Sequence, residues 1–100
     1  MQAISNGKVV ANAPKEDLIY IEGNWYFPPN SVDRGYLHSS DTPYTCPWKG
    51  ACQYFSVGTG DKISKDNAWT YPDLHHSAVT RVKKDFTDYV AFWRDVQVAE

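Results

Sequence analysis

The chain has 100 residues, enough for one domain over residues 1–100, and an aromatic share of 15% is too high for a disordered segment. A formal charge of −2 leaves no basic excess to neutralise phosphates, so no nucleic-acid partner is expected. No run approaches the ~20 apolar residues of a membrane span, and Met1 to Lys8 holds no long apolar stretch, so neither membrane nor signal peptide is expected and a cytoplasmic, reducing setting is assigned to Cys46 and Cys52.

Val9-Val10-Ala11 is the first short apolar run able to open a sheet. Asp17 to Glu22 reads as a strand, Gly23-Asn24 as a turn, and Trp25-Tyr26-Phe27 as a second strand stopped by Pro28-Pro29, which together make a hairpin. Asn30 or Ser31 is a candidate cap for a short helical turn through Asp33, reaching Leu37 at its furthest. His38 to Thr45, dominated by Ser, Asp, Thr and Pro, reads as loop.

Gly50 to Val57 is the strongest strand. Gly58-Thr59-Gly60-Asp61 turns the chain, Lys62 to Tyr71 pairs back, and Pro72 ends it. Val79, Val82 and Phe86 fall at helical spacing and predict one or two helical turns. Arg81, Lys83 and Lys84, followed at once by Asp85, read as a solvated turn. Tyr89 to Trp93 is rich in strand formers, and Val96-Gln97-Val98 alternates as its extension. The fold class is therefore mainly β, with compact antiparallel sheets and one or two short helical turns.

Cys46-Pro47-Trp48-Lys49-Gly50-Ala51 is the most unusual segment and reads as a loop-to-strand junction. On the strand behind it Gly50, Cys52, Tyr54 and Ser56 face one way and Ala51, Gln53, Phe55 and Val57 the other. Neither face is a clean core face, so both are covered or one lines a semi-polar pocket. Gly50 admits close approach of another backbone or a ligand. Lys49, between Trp48 and Gly50, is either an anion-binding point charge or a lysine whose stem lies over the indole. Cys46, three residues before that cation, is either a nucleophile with His38 as base or a buried inert thiol.

Trp25, Tyr26, Trp48, Tyr54, Trp69 and Tyr71 are many large rings for so small a core, and about half are expected to pack inside while the rest face a cleft. The six-residue spacing of Cys46 and Cys52 is a poor match to structural zinc knuckles, and His75-His76 is the only other cluster, so no metal or cofactor is expected.

Cys46-Pro47-Trp48-Lys49-Gly50-Ala51-Cys52-Gln53-Tyr54 resembles the central signature of a bacterial family catalogued as a domain of unknown function, DUF427, sometimes labelled a nucleotidyltransferase domain. Tyr26-Phe27-Pro28, Ala68-Trp69-Thr70-Tyr71-Pro72 and Val90-Ala91-Phe92 resemble its flanking elements, so the resemblance spans nearly the whole chain. It implies a β-tent arrangement of antiparallel strands and gives weight to Lys49. The residues themselves do not support the transferase label. No Asp-x-Asp pair is present to hold bridging metal ions, and Gly58 to Lys62 is better explained as a hairpin turn than as a phosphate loop.

Three functions follow from these residues. The first is a small-molecule binding domain whose cleft is walled by Tyr26, Trp48, Tyr54, Trp69 and Tyr71, with Lys49 meeting an anionic or polar group. The second is an enzyme with Cys46 as nucleophile and Lys49 or His38 assisting. The third is an interaction module forming a homodimer through exposed sheet edges.

Overall fold

In the computed structural model, which describes residues 1–100, the chain forms nine strands and one α-helix. They are β1 (Gln2–Ser5), β2 (Lys8–Asn12), β3 (Ile19–Ile21), β4 (Asn24–Phe27), β5 (Leu37–Cys46), β6 (Gly50–Thr59), β7 (Lys62–Thr70), helix α1 (His76–Val82), β8 (Val90–Phe92) and β9 (Gln97–Ala99). Single 3-10 turns cover Lys15–Asp17, Pro29–Ser31 and Arg34–Tyr36. No helix is long and apolar enough to cross a membrane.

The strands form two antiparallel sheets. The smaller has the order β2-β1-β9 and the larger the order β3-β4-β8-β7-β6-β5. The mainly β reading of the sequence holds. The central strands β4, β7 and β8 are covered on both faces, so apolar residues occupy both alternating sets rather than one.

One face of the larger sheet presents Phe27, Phe55, Ala68, Val90 and Phe92 to the smaller sheet, where they pack with Ala3, Val10, Ala11, Leu18 and Val96. The other presents Tyr26, Trp69, Tyr71 and Ala91, which pack with Ala78 of α1 and with Phe86. Phe27 meets Phe92 edge-on at 5.6 Å, and Tyr26 meets Phe86 edge-on at 5.7 Å. α1 is a single short helix and covers only part of this second face. The uncovered part is where the cleft lies.

Several expectations change. His38 to Thr45 is not a loop but most of β5. An edge strand is bonded on one side only, so Pro43 is tolerated there, and the pairing register with β6 shifts between Ser39 and Pro43. The β3–β4 turn is Glu22-Gly23 rather than Gly23-Asn24, because Asn24 already pairs with Ile21. Asn30 and Ser31 do not cap a helix through Asp33; Asp33 caps the later 3-10 turn by accepting from the Gly35 amide.

The helix expected near Val79 starts earlier, at His76, and stops where Lys83 turns left-handed at φ 67°. Val96 to Val98 does not extend β8. Arg94 turns the chain at φ 56° and β9 joins β1 in the other sheet, with Val98 opposite Ala3. β1 carried no clear signal in the sequence.

Candidate functional site

Cys46-Pro47-Trp48-Lys49-Gly50 closes the β5–β6 hairpin: Cys46 is the register partner of Gly50, and Pro47, Trp48 and Lys49 form the turn. The expected loop-to-strand junction is thus a tight strand-to-strand turn. Gly50 is required by its surroundings. Its φ of +120° is a glycine conformation, and a Cβ there would lie 2.8 Å from the Asp73 carbonyl oxygen. The approaching group foreseen at Gly50 is therefore the backbone leading into α1, and the His75 amide donates to the Lys49 carbonyl at 3.0 Å.

Fixed this way, Lys49 points inward and is buried. Its ammonium lies 4.8 Å from the Trp48 ring centroid and 5.2 Å from that of Tyr71. It donates to Glu22 Oε1 on the β3–β4 turn. Two aromatic faces and one carboxylate thus compensate the buried charge. Lys49 holds the Glu22 carboxyl below the ordinary carboxylate range, chiefly through that hydrogen bond, against the opposing pull of desolvation. The Arg81 guanidinium stacks on Trp48 at 4.3 Å. The reading of Arg81 as part of a solvated turn is corrected: it is exposed, but helical and held against an indole.

Beside Lys49 opens a cleft of about 310 Å³ lined by Asn24, Tyr26, Tyr44, Lys49, Tyr54, Trp69, Tyr71 and Trp93. Trp69 Nε1 donates to the Tyr26 hydroxyl at 3.0 Å, and the two rings meet edge-on. That hydroxyl still has its own proton to offer. Burial pushes the Tyr26 and Tyr71 phenols well above their ordinary value, so both stay protonated donors near neutral pH. Tyr54 and Trp93 lie nearly parallel, 15° apart, with centroids separated by 6.4 Å.

The far end of the cleft is set by two irregularities that flank β6. β7 gains residues between Ser64 and Ala68, and β5 between Ser39 and Pro43. They meet across β6 through Thr42 Oγ1, which donates to Asp66 Oδ2 at 2.7 Å. Hydrogen bonds from Ser40 and Thr42 hold the Asp66 carboxyl below its ordinary range. The Asp66 carbonyl accepts from Trp93 Nε1 at 2.6 Å, and the Trp93 amide donates to the Asn67 carbonyl at 3.0 Å. A left-handed Asp66, at φ 58°, thus anchors the wall formed by Trp93.

Of the residues singled out in the sequence, Tyr26, Lys49, Tyr54, Trp69 and Tyr71 come together around this cleft. Trp48 does not line it; its ring is in contact with the cationic groups of Lys49 and Arg81. Trp25 packs elsewhere, tilted against Tyr20 at 4.7 Å. Cys46 is buried in the apolar cluster that also holds Ile19, Ile21, Tyr26 and Trp69. His38 sits at the other end of β5, eight residues and roughly 25 Å away. Its Nε2 is 2.8 Å from the Gly58 carbonyl oxygen, so the structure does not bring it to Cys46.

Both cysteines are free, and burial pushes the Cys52 thiol up to about 11. No group of three or more His, Cys, Asp or Glu side chains gathers at metal-binding range.

Sequence reasoning missed Asn24, Tyr44, Trp93 and Glu22. Tyr44 was hidden by the loop-like composition around it, and Asn24 and Glu22 by their place at a turn. Trp93 ends a strand recognised in the sequence, and its aromatic character was the available signal.

A larger hollow, about 510 Å³, lies against Glu16, Asp17, Ile19, Pro28, Asn30, Lys84, Asp85 and Tyr89. Half of these side chains are charged and only one is a ring, so it is the weaker site for a planar ligand.

The family model described as a domain of unknown function (DUF427) matches residues 1–100. Comparison with curated proteins returns no match.

Proposed function

We propose, from the premise that the chain belongs to the DUF427 family over its whole length, that it is a binding domain for one small planar molecule carrying polar groups. The observation that carries this reading is the chemistry of the cleft. Six rings, from Tyr26, Tyr44, Tyr54, Trp69, Tyr71 and Trp93, line a space of about 310 Å³ together with the buried Lys49. That volume is at the small end of ligand pockets, ~300–1,000 Å³, and suits one fused ring system rather than an extended chain.

Rings supply area at low entropy cost and the hydroxyls of Tyr26 and Tyr71 supply fixed donors. The nearly parallel Tyr54 and Trp93 rings, 15° apart, add flat apolar surface of the kind a planar group stacks on. The thiol-nucleophile reading gains nothing from this geometry, because Cys46 is packed in apolar surroundings without a base.

A thermal-shift screen against nucleobases, nucleosides and aromatic acids tests the proposal. At least one compound is expected to raise the melting temperature by several degrees, as ~100-fold saturation stabilises by about 2.7 kcal/mol. Tyr44→Ala removes a half-exposed wall and is expected to fold normally while losing that shift. A panel that leaves the melting temperature unmoved sinks the reading.

A further inference from the structure

The Lys49–Glu22 pair is asymmetric in a way that a structural ion pair need not be. The Lys49 side chain is 7% exposed and that of Glu22 54%. A buried ammonium without a counter-charge is costly, whereas a half-exposed carboxylate that lets go is rehydrated at little expense. Lys49 therefore needs an anion, but the anion need not be Glu22.

The turn itself gives a second, independent observation. Glu22 and Gly23 have φ of 52° and 84°, the signs of a tight hairpin turn in which Asn, Asp or Gly is the ordinary first residue. A glutamate there meets the steric penalty of a left-handed backbone that asparagine, aspartate and glycine carry more easily. Hairpin formation does not call for glutamate at this position. What glutamate adds is reach: it delivers a carboxylate to Lys49, at the edge of the cleft.

Charge and donor count leave room for another acid. Two cations, Lys49 and Arg81, lie against Trp48, and the one carboxylate paired with either is Glu22, on Lys49. The ammonium has three donors, and Glu22 Oε1 is its only oxygen acceptor. Lys49 also lines the cleft with Tyr71, Tyr26 and Trp69, and its Nζ lies 5.2 Å from the Tyr71 ring centroid, so a ring lying on Tyr71 brings an attached acid toward the ammonium.

We propose that Glu22 is a built-in occupant of the Lys49 anion position, and that the ligand of the cleft is a planar molecule bearing an acidic group that displaces Glu22 there. The inference rests on the cleft reading above and adds the ligand's charge and the competing residue. Glu22 then sets the affinity threshold: weakly basic or neutral ring systems cannot release it, and an acid exchanges one anion for another without leaving Lys49 bare.

Calorimetric titration with naphthalenesulfonate and its neutral isostere naphthalenesulfonamide tests this on the full chain, its Glu22→Gln variant and its Lys49→Met variant. Glu22→Gln keeps a hydrogen-bonding side chain at an exposed turn and is expected to fold. It should bind the sulfonate at least threefold more tightly with the sulfonamide unchanged. Lys49→Met should lose the preference for the sulfonate.

In the unmodified protein, saturating sulfonate should also return the Glu22 carboxyl, followed by its carbon NMR resonance, to an ordinary titration midpoint. Glu22→Gln binding the sulfonate no more tightly, or both probes equally more tightly, overturns the inference while leaving the cleft reading in place. Failure of both probes to bind any of the three proteins overturns the cleft reading and the inference with it.

Discussion

Lys49 illustrates how a residue's role depends on neighbours far away in sequence. Its contacts are Trp48 beside it, Tyr71 at the end of β7 and Glu22 on the β3–β4 turn, so charge, burial and cleft position arise together. The thiols show the opposite balance, in which burial outweighs a nearby cation at Cys52. Cys46 lies 5% exposed in apolar packing. The Cys52 thiol, pushed up to about 11 by burial, is almost wholly protonated at neutral pH. Both are expected to react with iodoacetamide at pH ~7.5 at least about tenfold more slowly in the folded protein than in urea, since the thiolate is the reacting form. Mass-spectrometric labelling rates check this, and a folded-state rate equal to the unfolded one at either cysteine contradicts it.

At the scale of elements, the β5–β6 hairpin carries the site and Gly50 is its tightest point. Gly50→Ala puts a methyl 2.8 Å from the Asp73 carbonyl and forces a φ of +120° on an L-residue. A loss of about 2 kcal/mol or more in stability is expected from such a conflict. The same substitution should weaken ligand binding more than its stability cost implies, because the segment that must yield donates through His75 to the Lys49 carbonyl. Urea denaturation paired with the thermal-shift assay checks it; a fully stable Gly50→Ala protein would show that the approach of the two segments is not a constraint. The paired irregularities of β5 and β7 serve the other end of the cleft in the same way. They seat Asp66 and through its carbonyl hold Trp93.

At the scale of the molecule, the larger sheet separates two packing problems. The face toward the smaller sheet is filled with aliphatic residues and phenylalanines, and the face toward α1 with tyrosines, tryptophans and thiols. The second face makes stability sensitive to pH at both ends. Glu22 and Asp66 have carboxyl values held below the ordinary range by Lys49 and by Ser40 and Thr42 respectively. In the acid range the unfolded chain therefore binds more protons than the folded one, and stability falls as pH drops below ~4.

Tyr26, Tyr71 and Cys52 are shifted upward by burial. Above about pH 9–10 the unfolded chain releases protons that the folded one retains, so stability also falls as pH rises. Urea midpoints measured across pH should form a plateau between these limits with a decline on each side. A midpoint unchanged up to pH ~11 would contradict the burial of these phenols and thiol.

The sequence by itself determined the strand-rich class, the β3–β4, β6–β7 and β8 segments and the family, because turn residues and β-branched or aromatic runs are local signals. It also singled out Tyr26, Lys49, Tyr54, Trp69 and Tyr71, since a surplus of large rings around a lysine is visible as composition. Only the tertiary structure decided that His38 to Thr45 is an edge strand, that β9 leaves its apparent partner β8 for β1, and that Glu22 meets Lys49. Strand partners and cross-hairpin ion pairs depend on which segments are adjacent in space, and a two-residue shift at a bulge or a left-handed residue such as Arg94 changes those neighbours with little trace in the local pattern. The segment around Lys49 was thus identifiable from its residues, while the carboxylate that holds its charge came from the fold.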